Sequence, residues 1–211
     1  MSKIEEVKAR LEAGKAKLVP ALVQEALDEG SEAKDILQAM IDSMGVVGDQ
    51  FSKGEIFVPE MLMAAKAMTK GVDVLRPLLV GDTSSSKGTC IIGTVQGDLH
   101  DIGKNLVAMM IESAGFDVVD LGVDVSPAKF IEAIKESKNV TIVGCSGLLT
   151  TTMTAMKETV QTIKASGLTG FRVIVGGAPV TQEYANEIGA DGFAPDAGSA
   201  AVKAVELVKS L

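Results

Sequence analysis

Over the first eighty positions apolar residues recur at helical spacing, with none of the alternation that marks a half-buried strand. The spacing predicts four helices. The first covers residues 3–13 and stops at Gly14; the second covers 20–29, opening on Pro20, which is tolerated at a helix start, and stopping at Gly30. Ser31 offers an N-cap for a third helix that turns Ile36, Leu37, Met40, Ile41 and Met44 to one side and ends by Gly54. Pro59 opens the fourth, in which Met61, Ala65, Met68, Val72 and Leu75 define one apolar face. Short helices with short connections predict a bundle.

The pattern then changes. Residues 81–88 are all small or polar and have nothing to bury, as in a flexible linker, which sets the domains at 1–81, a linker at 82–88, and 89–211. Beyond it, short β-rich runs at 89–95, 117–121, 140–145, 171–175 and, more weakly, 192–194 alternate with helical stretches at 103–114, 127–137, 152–166, 181–188 and 197–209. This alternation predicts an α/β chain: an N-terminal four-helix bundle followed by a flavodoxin-like or Rossmann-like five-stranded parallel sheet.

Composition narrows the function. Hydrophobic residues make up 46% of the 211 positions, yet there is no Trp and a single Tyr, so the core is aliphatic and aromatic stacking on nucleobases is not expected. A net charge of -8 opposes binding to nucleic acid or to an anionic membrane. Cys90 and Cys145 each lie in an apolar run, which reads as two small buried hydrophobes and not as a disulfide framework. The first residues carry charge where a signal peptide would carry an apolar core, and no apolar run approaches a membrane span, so the expected location is cytoplasmic.

In open α/β sheets ligands bind beyond the carboxyl ends of the strands, and three loops there are informative. The loop after the first strand holds Asp98, His100, Asp101, Ile102 and Gly103 immediately before a helix. The loop after the third holds Ser146, Leu148 and Thr150 to Thr152, and the loop after the fourth holds Gly176 and Gly177. His100 is the sole histidine, so a zinc site of several His or Cys ligands is hard to build. A planar macrocycle brings its own equatorial nitrogens and asks for one axial imidazole, whose other ring N–H a carboxylate such as Asp98 could accept.

The motif Asp98-x-His100-x-x-Gly103, followed by Ser146-x-Leu148 and then by Gly176-Gly177, resembles the three-part signature of cobalamin-binding domains. Such domains occur in methionine synthase and in the small corrinoid proteins of methylamine, methanol and methoxyarene methyltransferase systems. The resemblance covers nearly the whole chain, because those small proteins also begin with a four-helix cap. It implies a cobalamin or related corrinoid whose cobalt is held by His100, with the nucleotide tail lined by Ser146, Leu148, Gly176 and Gly177. By the same resemblance Thr152, or Thr150 or Thr151 beside it, completes a relay with Asp98 and His100, and Phe57, Val58 and Met61 touch the corrin from the cap. The implied activity is methyl carriage. Co(I) accepts a methyl group from a donor on one methyltransferase, and methyl-Co(III) passes it to tetrahydrofolate or coenzyme M on a second, with a reductive activase in support. The chain alone would not turn over. The alternative is the small cobalamin-binding subunit of an adenosylcobalamin-dependent mutase, against which the helical cap argues.

Overall fold

The computed structural model describes residues 2–79 and 86–211, apart from the side chains of residues 76 and 79. The chain divides into two compact units, residues 1–85 with 113–115, and residues 86–112 with 116–211. Positions 82–85 of the expected linker lie outside the described residues. The remainder of it, residues 86–88, is tied to the sheet unit: Ser86 Oγ donates to Asp117 Oδ2 at 2.9 Å, and Thr141 Oγ1 donates to the Lys87 carbonyl at 3.2 Å.

The helical unit consists of α1 (Lys3–Glu12), α2 (Val19–Asp28), α3 (Ala33–Ser52) and α4 (Val58–Leu79). α1 packs on α2 and α3, and α4 packs on the same two, which closes a four-helix bundle. Its interior is Val7, Leu11, Val23, Ile36, Met40 and Leu75, all fully buried. The predicted stops at Gly14, Gly30 and Gly54 all adopt left-handed backbone, with φ of 65°, 91° and 72°. At Gly14 the next amide, Lys15 N, reaches back to Arg10 O at 2.9 Å and satisfies a carbonyl that the helix end would otherwise orphan. The expected Ser31 cap is not formed. Glu32, one residue later, occupies the N-cap position of α3 in extended backbone with no side-chain cap bond, and Ser31 belongs to the α2 stop, its amide donating to Ala26 O at 3.0 Å. The start of α4 is instead closed by Glu60, whose Oε2 accepts the Phe57 N–H at 2.7 Å, half of a capping box.

The second unit is a parallel sheet of β1 (Thr89–Thr94), β2 (Asp117–Asp120), β3 (Val140–Ser146), β4 (Arg172–Gly176) and β5 (Gly192–Ala194), connected by α5 (Ile102–Ser113), α6 (Pro127–Glu136), α7 (Met153–Ala165), α8 (Gln182–Ile188) and α9 (Ala197–Val208). The strand order is β2-β1-β3-β4-β5, the flavodoxin-like order, so the chain reverses its direction of winding between β1 and β3. Residues alternate between faces along each strand. Ile91, Val143, Cys145, Val173 and Val175 join Phe130, Met156 and Val160 in one cluster. The alternate positions, Cys90, Ile92, Ile142 and Ile174, are buried on the opposite face. Buried alanines at 197, 200, 201 and 204 on α9 supply the small surface on which that helix packs against β4 and β5. Both cysteines are free and buried, and burial pushes each thiol up to about 12.

Phe130 is the largest of the fully buried side chains, and its ring fills the place a side chain at Gly93 would take, since a Cβ there would lie 3.0 Å from Phe130 Cζ. Truncation of Phe130 to Ala leaves a cavity that the rigid strand beneath cannot close. An expected loss of about 3–5 kcal/mol in unfolding free energy, read from urea denaturation, follows.

Candidate corrinoid site

The reversal between β1 and β3 opens a crevice at the carboxyl edge of the sheet, where residues singled out in the loops after β1 and β3 meet. Between the two loops is Asp98, with no solvent exposure. Its Oδ1 accepts the His100 backbone N–H at 3.1 Å and stands 2.7 Å from His100 Nδ1. Its Oδ2 accepts the backbone N–H groups of Leu148 at 2.7 Å and Leu149 at 3.2 Å and lies 3.0 Å from Thr152 Oγ1. One carboxylate therefore ties the loop after β1 to the loop after β3. Of the three threonines, Thr152 is the one whose hydroxyl reaches Asp98, because the 3-10 turn over Thr150–Thr152 leaves Thr150 and Thr151 exposed and turns Thr152 inward.

Burial alone would push the Asp98 carboxyl up. The Leu148 N–H, the His100 imidazole and the N–H groups of His100 and Leu149 outweigh it and hold the carboxyl well below the usual carboxylate range. An ionised carboxylate only accepts, so His100 Nδ1 carries a proton, and in the neutral ring the lone pair is on Nε2. The imidazole side chain is 51% exposed while its partner is sealed. Buried Thr94 fixes the backbone beneath it, its Oγ1 donating to the His100 carbonyl at 2.9 Å.

Around the imidazole loop stand large apolar side chains open to solvent: Leu99 at 72%, Ile102 at 79% and Leu148 at 44% exposure. Gly103, in the first turn of α5, faces open space, with nothing within 4 Å of where a Cβ would be. Among the described residues no group of three or more His, Cys, Asp or Glu could hold a metal ion. A single outward imidazole, an apolar shelf and a helix start without side-chain bulk suit an axially ligated, largely apolar macrocycle, and do not suit a metal that needs several protein ligands. His100 would hold the metal, and Asp98 would orient it.

Other predicted residues have additional duties. Asp101 precedes α5, and its Oδ2 accepts from the Asn105 side-chain Nδ2 at 3.2 Å. Ser146 ends β3, its carbonyl accepting the Val95 N–H at 2.9 Å. Gly177 has φ 130°, and a Cβ there would lie 1.8 Å from the Gly147 carbonyl oxygen; one at Gly176 would lie 2.9 Å from the Ala194 oxygen. Both glycines are thus demanded by backbone packing at the sheet edge itself. In the helical unit Phe57 is 68% exposed and Val58 is 38% exposed, whereas Met61 is fully buried. Sequence reasoning missed Thr94, Leu149, Asp124 and Lys104. Lys104 is buried in the first turn of α5 and pairs with Asp120 at the end of β2; a Lys beside a helix N-terminus, where a cation is unfavourable, was the available signal.

Two family profiles, each described as a B12 binding domain, match the chain, one over residues 88–205 and one over residues 3–76. The chain belongs to the cobalamin-binding family, in the arrangement that sets a helical B12-binding module before the sheet domain. It is 44% identical over 192 residues to the dimethylamine corrinoid protein of Methanosarcina barkeri, covering 90% of each chain. It resembles the crystal structure of a cobalamin-binding protein from Desulfitobacterium hafniense DCB-2 with a TM-score of 0.83 and 31% identity, over 97% of this chain and 98% of that one. A chain of the methanol:cobalamin methyltransferase complex of Methanosarcina barkeri matches with a TM-score of 0.83 and 29% identity, over 99% of this chain and 80% of that one.

The Asp98 carboxyl gives this site a pH signature in the cofactor-free protein. Because its folded pKa lies below the unfolded value of about 3.9, its stabilisation is present above about pH 4 and is lost as pH falls from there towards the folded value. The gap in urea midpoint between wild type and Asp98→Asn should be full at about pH 5 and narrow steadily below about pH 4. A gap that stays constant over that range would contradict the charge state assigned here.

Proposed function

We propose that this chain is a methyl carrier: it holds a corrinoid at His100 and moves between a methyltransferase that loads a methyl group and a second that removes it. The observation that carries the reading is the imidazole fixed through Nδ1 by a buried carboxylate, with Nε2 free at an apolar, open rim. The cobalt, when bound, supplies the centre that takes up and releases the methyl group. The protein's residues do the rest. His100 Nε2 ligates, Asp98 orients the ring, and Leu148, Leu149 and Thr152 keep the carboxylate in place. Leu99 and Ile102 offer apolar surface to the macrocycle, and Gly103 lets it approach. Asp101 lies at the same rim, and Ser146, Leu148, Gly176 and Gly177 border the path proposed for the nucleotide tail.

Residues 1–81 act as the cap and 82–88 as the linker in this reading. Phe57 and Val58, both exposed at the start of α4, are the cap residues open to a corrin, whereas Met61 is fully buried. A methylamine is the donor class, dimethylamine first, since relatives covering most of this chain are named for dimethylamine. The methanol:cobalamin methyltransferase complex supports direct docking of a corrinoid protein on its methyltransferase. Delivery to tetrahydrofolate or coenzyme M by the second methyltransferase, and rescue by a reductive activase, complete the set of partners. We place the protein in the cytoplasm, a reading supported by two unpaired cysteines; no described helix is long and apolar enough to cross a membrane. A mutase subunit is not favoured, because the relatives and the N-terminal B12-binding module point to methyl-transfer corrinoid proteins.

Reconstitution with hydroxocobalamin tests the reading. Wild type should retain about one corrinoid through gel filtration and show an axial-ligand shift in its visible spectrum. His100→Ala should lose the shift and bind at least about tenfold more weakly. After reduction, methyl iodide should change the spectrum of the wild-type holoprotein, and a dimethylamine-specific methyltransferase should do so with its substrate. Failure of wild type to retain a corrinoid would overturn the proposal.

A further inference from the structure

The left-handed residue Asp124 lies on the other side of the histidine loop from β3. It follows β2 in the turn that leads to α6, with φ 53°, a backbone region that suits glycine better than any residue with a Cβ. One side-chain bond accounts for an aspartate in that place, and a backbone bond that a glycine would keep adds to it. Its Oδ1 accepts the Gly97 N–H at 2.7 Å, and its own N–H donates to the Asp98 carbonyl at 3.0 Å. The Asp98 N–H in turn donates to Val95 O at 3.1 Å, and Val125 pairs with the end of β1 through its N–H to Thr94 O at 2.9 Å. The Asp98 backbone is therefore pinned on both sides, and Asp124 supplies one of the pins and steadies the residue before it. A glycine at position 124 would relax the backbone but could not hold Gly97.

We propose that Asp124 is a positioning residue for the axial ligand. It fixes the Asp98 backbone so that the Asp98 carboxylate meets His100 Nδ1, and so sets which imidazole nitrogen is free to bind metal. The inference rests on the corrinoid reading for its purpose, but its effect is visible in the protein without cofactor. The flank on the far side of His100 is held independently by Lys104 and Asp120, whose Oδ1 also accepts the Gly122 N–H at 2.9 Å, so the loop does not depend on Asp124 alone for its fold.

Because His100 is the only histidine, its ring nitrogens give one unambiguous set of resonances. The test uses the full-length, nitrogen-15-labelled protein without corrinoid, as wild type, Asp124→Gly and Asp124→Asn, with melting curves to verify folding. In the neutral imidazole, wild type should be held as the Nδ1–H tautomer. Asp124→Gly keeps the backbone conformation accessible and removes the acceptor; its Nδ1–H share should fall by more than half, and hydroxocobalamin should bind about tenfold more weakly, the effect expected of a group that orients a metal ligand from behind. Asp124→Asn keeps an acceptor for Gly97 and tolerates the same backbone, so it should stay close to wild type. A wild-type tautomer in Asp124→Gly, or an equal loss in both variants, overturns the proposal. Hydrogen exchange at Gly97 in wild type remains decisive even if Asp124→Gly fails to fold: the amide must be protected, and exchange at the rate of an unprotected amide overturns the proposal. If wild type binds no corrinoid, the functional reading fails while the tautomer comparison still decides this one.

Discussion

The carboxyl edge of the sheet is organised around one buried anion. Taking an ionised carboxylate out of water costs several kcal/mol unless donors replace the water it loses. Asp98 recovers that cost from three backbone N–H groups, one imidazole and one hydroxyl, drawn from the loops after β1 and β3. Those loops adjoin only because the strand order places β1 beside β3 while the chain winds outward from them in both directions. The fold thus creates the crevice, and the carboxylate joins its two walls. Each wall is supported from behind, by Asp124 through Gly97 on one side and, on the other, by Gly177 packed against the Gly147 backbone.

Much of this was legible in the sequence, for reasons that can be traced to particular residues. Gly14, Gly30 and Gly54 marked helix stops because a left-handed C-terminus is a local requirement that few residues meet. The strands were visible because β1 and β3 are buried on both faces and read as continuous apolar runs. Asp98 and His100 stood out because spacing places both on one short loop. Pairings between distant segments leave no periodic trace. Lys104 reaches Asp120 across 16 positions and went unseen, while the contact of Thr152 with Asp98 across 54 positions was expected only through the family resemblance, which left Thr150 and Thr151 open beside it. Ser31 misled for a related reason. Its residue type suits a cap, but it belongs to the preceding helix stop and the helix begins one residue later, with Glu32 at the cap position.

The glycines of the motif illustrate how far a signature can be trusted as a statement about ligands. Gly103 and Gly177 belong to the same three-part pattern, yet the protein needs them for different reasons. A Cβ at Gly177 collides with the Gly147 backbone, so that position requires glycine whatever binds nearby. A Cβ at Gly103 would meet nothing in the protein. Packing within the chain therefore does not require glycine there, and with Leu99 and Ile102 exposed around it, this helix start has room for a macrocycle in a way that the paired glycines, already filled by backbone, do not.

The division of the His100–Asp98 pair between solvent and interior fits a ligand that must bind and release. A metal ligand buried at both ends would have to disrupt packing in order to let go. A fully exposed imidazole would sample both tautomers and many rotamers, and each act of binding would carry the cost of ordering it. Here the ring is anchored through Nδ1 to a carboxylate with no exposure, its carbonyl is held by Thr94, and half of the side chain remains open. Binding then requires no rearrangement of the protein to select the nitrogen, and release leaves behind a ring still hydrogen-bonded at its far end. In the proposed role, the buried carboxylate that orients the ring is not the group that would meet the metal, and the imidazole edge that would meet it stays open to solvent.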